Sequence, residues 1–162
     1  MSNQKLRVND NIRGIYGVPC LAVFPKPESS RGSGFVDVKI RKIRCRNCFV
    51  MGEKQGVEWI AAQVILCAGK VGVNKLGMVC CKMRDRTKRL LEGIVEITND
   101  EDDFVSIIGD VLSQSESVAL LEGVDAVILV QESGVTLYDE IDKELELLQR
   151  AGIKVLGMII VE

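Results

Sequence analysis

Residues 48–69, CFVMGEKQGVEWIAAQVILCAG, constrain the fold more than any other stretch of the chain. The apolar run at 48–51 predicts a short strand, and residues 52–56 predict a turn bracketed by Gly52 and Gly56. The apolar run that follows predicts a long buried helix ending at Gly69. In this order, loop amides and a helix N-terminus converge on an anion, which is the plan of a phosphate-binding loop.

The side chains that such a loop needs are absent. In the pattern G-x-x-x-x-G-K-[ST] a lysine and a hydroxyl follow the second glycine, whereas Val57 and Glu58 follow Gly56 here. Valine has no charge to offer a phosphate, and glutamate brings the wrong one. In the first turn of a helix, Glu58 would instead stabilise the helix end by roughly 0.3–1 kcal/mol. We therefore predict a vestigial nucleotide site that does not bind ATP. Its residues are Gly52, Glu53, Lys54, Gln55, Gly56, Val57 and Glu58.

The composition favours one α/β domain. The 162 residues are 47% hydrophobic but only 4% aromatic, and their apolar residues are mostly Val, Ile, Leu and Ala, as in a parallel sheet covered by helices. Strands are predicted at 17–27, 48–51, 75–81, 104–108, 124–130 and 154–161. Helices are predicted at 35–46, 113–122 and 136–151, besides the one that ends at Gly69. The alternation predicts a three-layer sandwich with a mainly parallel central sheet.

Local signals refine several of these elements. Residues 1–13 are polar and predict a loose lead-in, and residues 93–97 predict a short strand or turn. Ser113 and Glu116 have capping-box spacing at the start of a short helix. The helix at 136–151 has an apolar stripe, an Asp139–Lys143 pair and Gly152 as its stop signal. The stripe consists of Leu137, Ile141, Leu145 and Leu148.

Charge and composition exclude several classes of function. The net charge of −2 gives no electrostatic reason to expect nucleic acid as a partner. The chain has no histidine, which removes the commonest metal ligand and the commonest general base. No apolar run approaches the ~20 residues that span a bilayer, and no signal peptide opens the chain. We therefore expect a cytoplasmic domain.

The cysteines leave a second possibility open. Cys45 and Cys48 form a C-x-x-C pair, and Cys80 and Cys81 are adjacent. A single C-x-x-C without histidine is a weak zinc signal, and redox activity needs a thiol at a helix N-terminus. Core thiols are the simpler interpretation, with a thiol-based redox or metal module as the alternative.

The order of elements resembles the cytoplasmic domain of bacterial tyrosine kinases (BY-kinases), which regulate capsule and exopolysaccharide chain length and export. The resemblance covers about residues 14–161. GVPCLAVFPKP resembles the strand that enters that domain from its membrane-spanning regulator, and VEWIAAQVILCAGK resembles the helix after the Walker A loop. DAVILVQESGVTLYDEIDKELELLQRAGIKVLGMIIV resembles the last strand–helix–strand unit and is the most specific match. The resemblance implies a P-loop fold, and a fragment cut from a longer membrane protein.

The catalytic motifs of that family do not carry over. The Walker A lysine and serine align with Val57 and Glu58, and the aspartate-rich Walker A′ motif aligns near Cys80-Cys81-Lys82. The Walker B aspartate falls near Ile108, so Asp110 could replace it only if the loop shifts. The C-terminal tyrosine cluster is missing. Together these losses imply a pseudo-enzyme without ATP or magnesium.

One motif of the family survives in part. Its first helix carries E-x-x-R-x-x-R, which joins subunits into a ring, and Arg41 and Arg44 have the arginine spacing. Val38 stands at the acid position, with Asp37 one residue early. The resemblance therefore implies self-association through Arg41 and Arg44.

The leading hypothesis is a non-catalytic BY-kinase-like regulatory or scaffolding module in capsule or exopolysaccharide export. Its expected partners are further copies of itself and a membrane chain-length regulator or another export protein, which would hold it at the inner face of the membrane. The enzyme alternative is a divergent tyrosine kinase that binds ATP and magnesium through Lys54, Lys82 and Asp110.

Overall fold

A five-stranded parallel sheet forms the centre of the molecule. The computed structural model describes residues 4–26, 53–99 and 103–162. In these ranges the strands are β1 (Cys20–Phe24), β2 (Leu76–Cys80), β3 (Val105–Gly109), β4 (Ala126–Glu132) and β5 (Lys154–Val161). The helices are α1 (Ile12–Tyr16), α2 (Glu53–Val71), α3 (Asp85–Thr98), α4 (Ser115–Leu120) and α5 (Tyr138–Arg150). Across the sheet the order is β1-β5-β4-β2-β3, and every pairing is parallel.

Helices cover both faces of this sheet. The side chain of Ile128 in β4 belongs to the core that α2 and α3 close on one face. Its neighbours Val127 and Leu129 belong to the core that α1 and α5 close on the other. Strands buried on both sides are apolar at nearly all positions, which explains the long apolar runs in β2, β4 and β5. The predicted three-layer α/β sandwich is confirmed.

The later elements follow the sequence signals closely. The strands predicted at 75–81, 104–108, 124–130 and 154–161 correspond to β2, β3, β4 and β5. Helix α5 spans Tyr138–Arg150, and Lys143 pairs with Asp139 at 3.4 Å. Gly152 follows the helix with φ of 71°, the left-handed conformation that glycine adopts at this position without strain.

Helix α2 begins earlier than the glycines predict. The predicted turn at 52–56 is wrong for residues 53–56, which form the first turn of the helix. Gly56 is buried, and a Cβ built on it would lie 3.2 Å from Cε2 of Phe24 in β1. The glycine therefore permits close packing of the helix on the strand, and does not mark a loop. Glu58 lies in the second helical turn, so the first-turn acid is Glu53 instead.

Helix α3 runs through the second region where sequence reasoning fails. The strand or turn predicted at 93–97 is wrong, because α3 continues to Thr98. A Cβ at Gly93 would lie 2.7 Å from Cγ1 of Val57 in α2. The residue that looked like a helix breaker is a point of close approach between the two helices. Glycine costs helix propensity there, but it makes room for the neighbouring helix.

The described part of the lead-in packs against the body of the domain. Leu6 is fully buried, and its backbone exchanges hydrogen bonds of 2.8 Å with Thr136 and Gly134. Lys5 forms a bridge with Leu137, and α1 follows at Ile12–Tyr16. The prediction of a loose lead-in is therefore wrong for residues 4–13, because an apolar side chain and a strand-like pairing fix them.

Several predicted features lie outside the described residues. They are the strand at 48–51, the basic helix at 35–46 with Arg41 and Arg44, the Cys45–Cys48 pair and Gly52. Among the helices that the structure describes, none is long and apolar enough to cross a membrane.

Candidate functional site at the carboxyl edge of the sheet

The carboxyl ends of β2 and β4 lie at the point where the chain changes direction across the sheet. After β2 the chain passes through α3 to β3, and after β4 it passes through α5 to β5, towards the opposite edge and on the opposite face. Open parallel sheets bind their ligands outside the strand ends at such a switch point. The residues that follow β2 and end β4 are therefore the candidate site.

Charged side chains at this switch point pair with one another. Glu132 at the end of β4 accepts a hydrogen bond from the hydroxyl of buried Thr87 at 3.4 Å and lies 3.8 Å from Arg84. Lys82, after β2, lies 3.2 Å from Glu140 in the first turn of α5. Glu140 also accepts a hydrogen bond from the backbone N–H of Leu137 at 2.9 Å. Carboxylates of the protein itself thus pair with Lys82 and Arg84 at the switch point.

A second cluster closes the ends of β1 and β5. The guanidinium of Arg86 in α3 lies 4.7 Å from the ring centroid of Phe24. It donates to the main-chain oxygen of Glu162 at 2.8 Å and to that of Pro25. Burial lowers the pKa of Arg86 from its ordinary value, with the nearby carboxylate of Glu53 opposing the shift. Arg86 therefore ties the start of α3 to two strand ends.

The described residues of the predicted vestigial site lie in α2 beside this second cluster. Glu53, Lys54, Gln55 and Glu58 are exposed, Val57 is half-buried, and Gly56 is buried against Phe24. Glu53 lies 3.9 Å from Arg89 of α3. The structure thus brings part of this stretch to the carboxyl edge of β1, as regular helix.

Asp110 follows the edge strand β3, and its carboxylate accepts hydrogen bonds within the turn that comes after the strand. Its Oδ1 accepts hydrogen bonds from the backbone N–H groups of Leu112 and Ser113 at 2.9 and 3.2 Å. Its Oδ2 accepts from the Ser113 hydroxyl at 2.5 Å. The predicted capping box is wrong, because Ser113 bonds to Asp110 and the helix starts after Gln114, which makes no side-chain cap.

A buried polar cluster next to the switch point, between β4 and α5, was missed by sequence reasoning. Gln131 of β4 and Glu144 of α5 are fully buried, and Gln131 Nε2 donates to Glu144 Oε2. Burial raises the pKa of Glu144 to about 7; the Cys81 thiol and Gln131 oppose the shift, while the charges of Asp110 and Glu140 add to it. The signal was present: Glu144 lies three residues after Ile141 and four before Leu148, on the apolar stripe of the helix.

The adjacent thiols are both buried. Burial raises the pKa of Cys80 to about 12, and it raises the pKa of Cys81 further, with the Glu144 charge adding to the effect. A thiol with a raised pKa carries little thiolate and is a poor nucleophile.

In the ranges that the structure describes, no group of three or more Cys, Asp or Glu side chains has metal-binding geometry.

Comparison with known proteins finds solved structures that are similar to this chain at low sequence identity. No protein-family model matches the chain, and no curated protein matches it. It is similar to the solved structure described as "BceF Tyrosine Kinase Domain", with 13% identity, a TM-score of 0.43, and 98% of this chain and 99% of that chain covered. It is also similar to the chimerical protein CapA2B2, with 15% identity, a TM-score of 0.45, and 95% and 98% covered.

Proposed function

We propose that this chain is a non-catalytic regulatory or scaffolding module of the BY-kinase type, which acts in capsule or exopolysaccharide export and binds protein partners rather than ATP. The sequence resemblance over residues 14–161 supports the assignment to that class. The observation that carries the non-catalytic part is the helical backbone of residues 53–56, which lie before the lysine and hydroxyl positions of the pattern. These residues would have to form the end of an open loop if they cradled a phosphate.

A helical backbone uses the amide groups that a phosphate would need. In an α-helix only the first four N–H groups lack an intrahelical partner, so the amides of Val57 and Glu58 are committed to the helix. The free amides belong to the turn that carries the carboxylate of Glu53, beside Arg89. Two unit charges ~4 Å apart interact by ~4 kcal/mol at an effective dielectric constant of ~20 before screening. A missing lysine and an added carboxylate would together weaken a micromolar site beyond millimolar, since ~1.4 kcal/mol is tenfold.

ATP with magnesium is the direct test of this proposal. At millimolar nucleotide we expect no shift of the melting temperature and no calorimetric heat beyond dilution, with a P-loop ATPase as the positive control. The divergent-kinase alternative predicts that ATP raises the melting temperature and that Lys54→Ala abolishes the rise. That result would contradict the non-catalytic proposal.

An exposed apolar strip on α2 supports the partner-binding part. Ile65 and Leu66 are 47% and 53% exposed on the outer side of a helix whose inner side packs into the core. A helix that is apolar on most sides is usually covered on most sides.

We place the module in the cytoplasm, held at the membrane by a chain-length regulator or another export protein.

Self-association through the basic segment is tested by light scattering. Arg41→Ala with Arg44→Ala is expected to lower the oligomer mass without changing the melting temperature, because the arginines would bond a neighbouring subunit. Lys39→Ala with Lys42→Ala removes the same charge from the same segment and should leave the mass unchanged. A monomeric wild-type protein, or equal masses for both double variants, would contradict this role.

A further inference from the structure

The buried pair Gln131–Glu144 has two oxygens without partners. Gln131 Nε2 donates to Glu144 Oε2, whereas Gln131 Oε1 and Glu144 Oε1 are buried without a partner in hydrogen-bonding geometry; the Cys81 thiol, a weak donor, interacts with both side chains. A buried polar atom without a partner costs roughly 1–3 kcal/mol, so two in one contact need an explanation. As a carboxylate, Glu144 could only accept, and it could not serve the oxygen of Gln131.

We infer that Glu144 is protonated in the folded protein and forms a two-point acid–amide pair with Gln131, which fixes α5 on β4 in a pH-dependent way. A proton on Glu144 Oε1 turns that oxygen into a donor to Gln131 Oε1. The existing bond from Gln131 Nε2 to Glu144 Oε2 is kept. One proton therefore gives both unpartnered oxygens a role, and it removes a charge from a fully buried site.

The groups around Glu144 favour this neutral form on balance. Asp110 from the end of β3 and Glu140 from its own helix disfavour a second negative charge, whereas the Cys81 thiol after β2 favours it. Lys82 pairs with Glu140 at 3.2 Å and is not among the groups that affect the pKa of Glu144. Tyr16 of α1 interacts with Cys81. Its pKa is raised, so the phenol carries no charge near neutral pH.

The pair acts on the candidate site through α5. Glu140 and Glu144 lie one turn apart on that helix, and Glu140 pairs with Lys82 at the switch point. Loss of the proton would leave a charged carboxylate against β4 and loosen the helix turn that carries Glu140. This inference goes beyond the proposed function and does not depend on it.

The sign of the pH effect follows from the direction of the shift. Burial raises the pKa of Glu144 from 4.5 in the unfolded chain to about 7 in the folded protein. Its contribution to stability is therefore complete below about pH 4.5 and is lost as the pH rises through 7. The chain has no histidine, so few other groups titrate between about pH 5.5 and 8.

The test compares urea unfolding midpoints from pH 5 to 8.5 for the wild-type chain, Glu144→Gln and Glu146→Gln. We expect the wild-type midpoint to fall as the pH rises from about 5 to 8. Glu144→Gln should remove that fall and unfold at higher urea than wild type at pH 8, because glutamine makes the two-point pair without a proton. Glu146 is exposed on the same helix, and Glu146→Gln should follow the wild-type profile. Equal slopes for wild type and Glu144→Gln would overturn the inference.

If Glu144→Gln does not fold, nuclear magnetic resonance of the wild-type protein tests the protonation of Glu144 directly. In wild-type protein labelled with carbon-13, the side-chain carboxyl resonance of Glu144 should titrate near pH 7, above those of exposed glutamates. Titration of the Glu144 carboxyl below about pH 5 would overturn the inference.

Discussion

Arg86→Met is expected to lower the free energy of unfolding by about 2–4 kcal/mol. Methionine keeps much of the side-chain volume over Phe24 but removes the charged donor. The main-chain oxygens of Pro25 and Glu162 would lose a hydrogen-bond partner, and the cation–π contact at 4.7 Å would be lost. These contacts tie α3 to the ends of β1 and β5, so few alternative contacts can replace them. Urea unfolding followed by the fluorescence of Trp59, the single tryptophan, measures the change.

A neighbouring arginine, Arg84 at the N-cap of α3, is the matched control. The side chain of Arg84 is 64% exposed, and its carboxylate partner Glu132 lies 3.8 Å away. The Glu132 side chain is 12% exposed and keeps its hydrogen bond from Thr87, so Arg84→Met should cost about 1 kcal/mol, less than Arg86→Met. Arg86→Lys keeps the charge but not the planar fork, and it should be intermediate. Equal losses for Arg84→Met and Arg86→Met would show that general charge, and not the contacts of Arg86, sets the stability.

The parallel sheet and α5 were predictable because their signals are local. Strand β4 is a run of apolar residues buried on both faces, and such a run is visible without knowing its partners. Helix α5 shows an apolar stripe, an ion pair four residues apart and a glycine stop within its own residues. Each signal is readable within about fifteen residues, which is the window of a helical pattern.

Gly56 and Gly93 led to wrong predictions because the residues that they contact lie far away in the sequence. Position 56 needs a glycine because Phe24 of β1 lies against it. Position 93 needs one because Val57 of α2 lies against it. A single sequence cannot separate a glycine that makes room for a neighbour from one that breaks a helix. Both errors of the prediction follow from this ambiguity: it started α2 too late, and it broke α3 at a glycine where the helix continues.

The candidate site was only partly predictable for the same reason. Lys82 was named because the Walker A′ motif of the resembled family aligns near it, but its contact with Glu140 depends on the order of the strands across the sheet. Glu132 and Thr87 are 45 residues apart and meet only because β2 and β4 are neighbours. Glu144, by contrast, lay on the predicted apolar stripe, where a charged residue is the exception that needs a partner.

The same glycine-to-alanine change is expected to have opposite effects at two helical positions. Gly69→Ala in α2 adds a methyl group where no atom lies within 4 Å, so it should stabilise the domain by about 0.5–1 kcal/mol through helix propensity. Gly93→Ala in α3 gains the same propensity, but its Cβ would lie 2.7 Å from Cγ1 of Val57. Overpacking of this kind costs typically ~1–3 kcal/mol, so a net loss of about 1–2 kcal/mol is expected.

A double-mutant cycle shows whether Val57 is the cause. In a Val57→Ala background the space beside residue 93 is open, so Gly93→Ala should become neutral or stabilising. The coupling free energy between the two positions should then exceed about 1 kcal/mol. Urea unfolding of the four proteins gives the cycle, with Gly69→Ala as the reference for propensity alone. If Gly93→Ala stays destabilising in the Val57→Ala background, the strain must lie elsewhere, because the valine methyl group that it would meet has been removed.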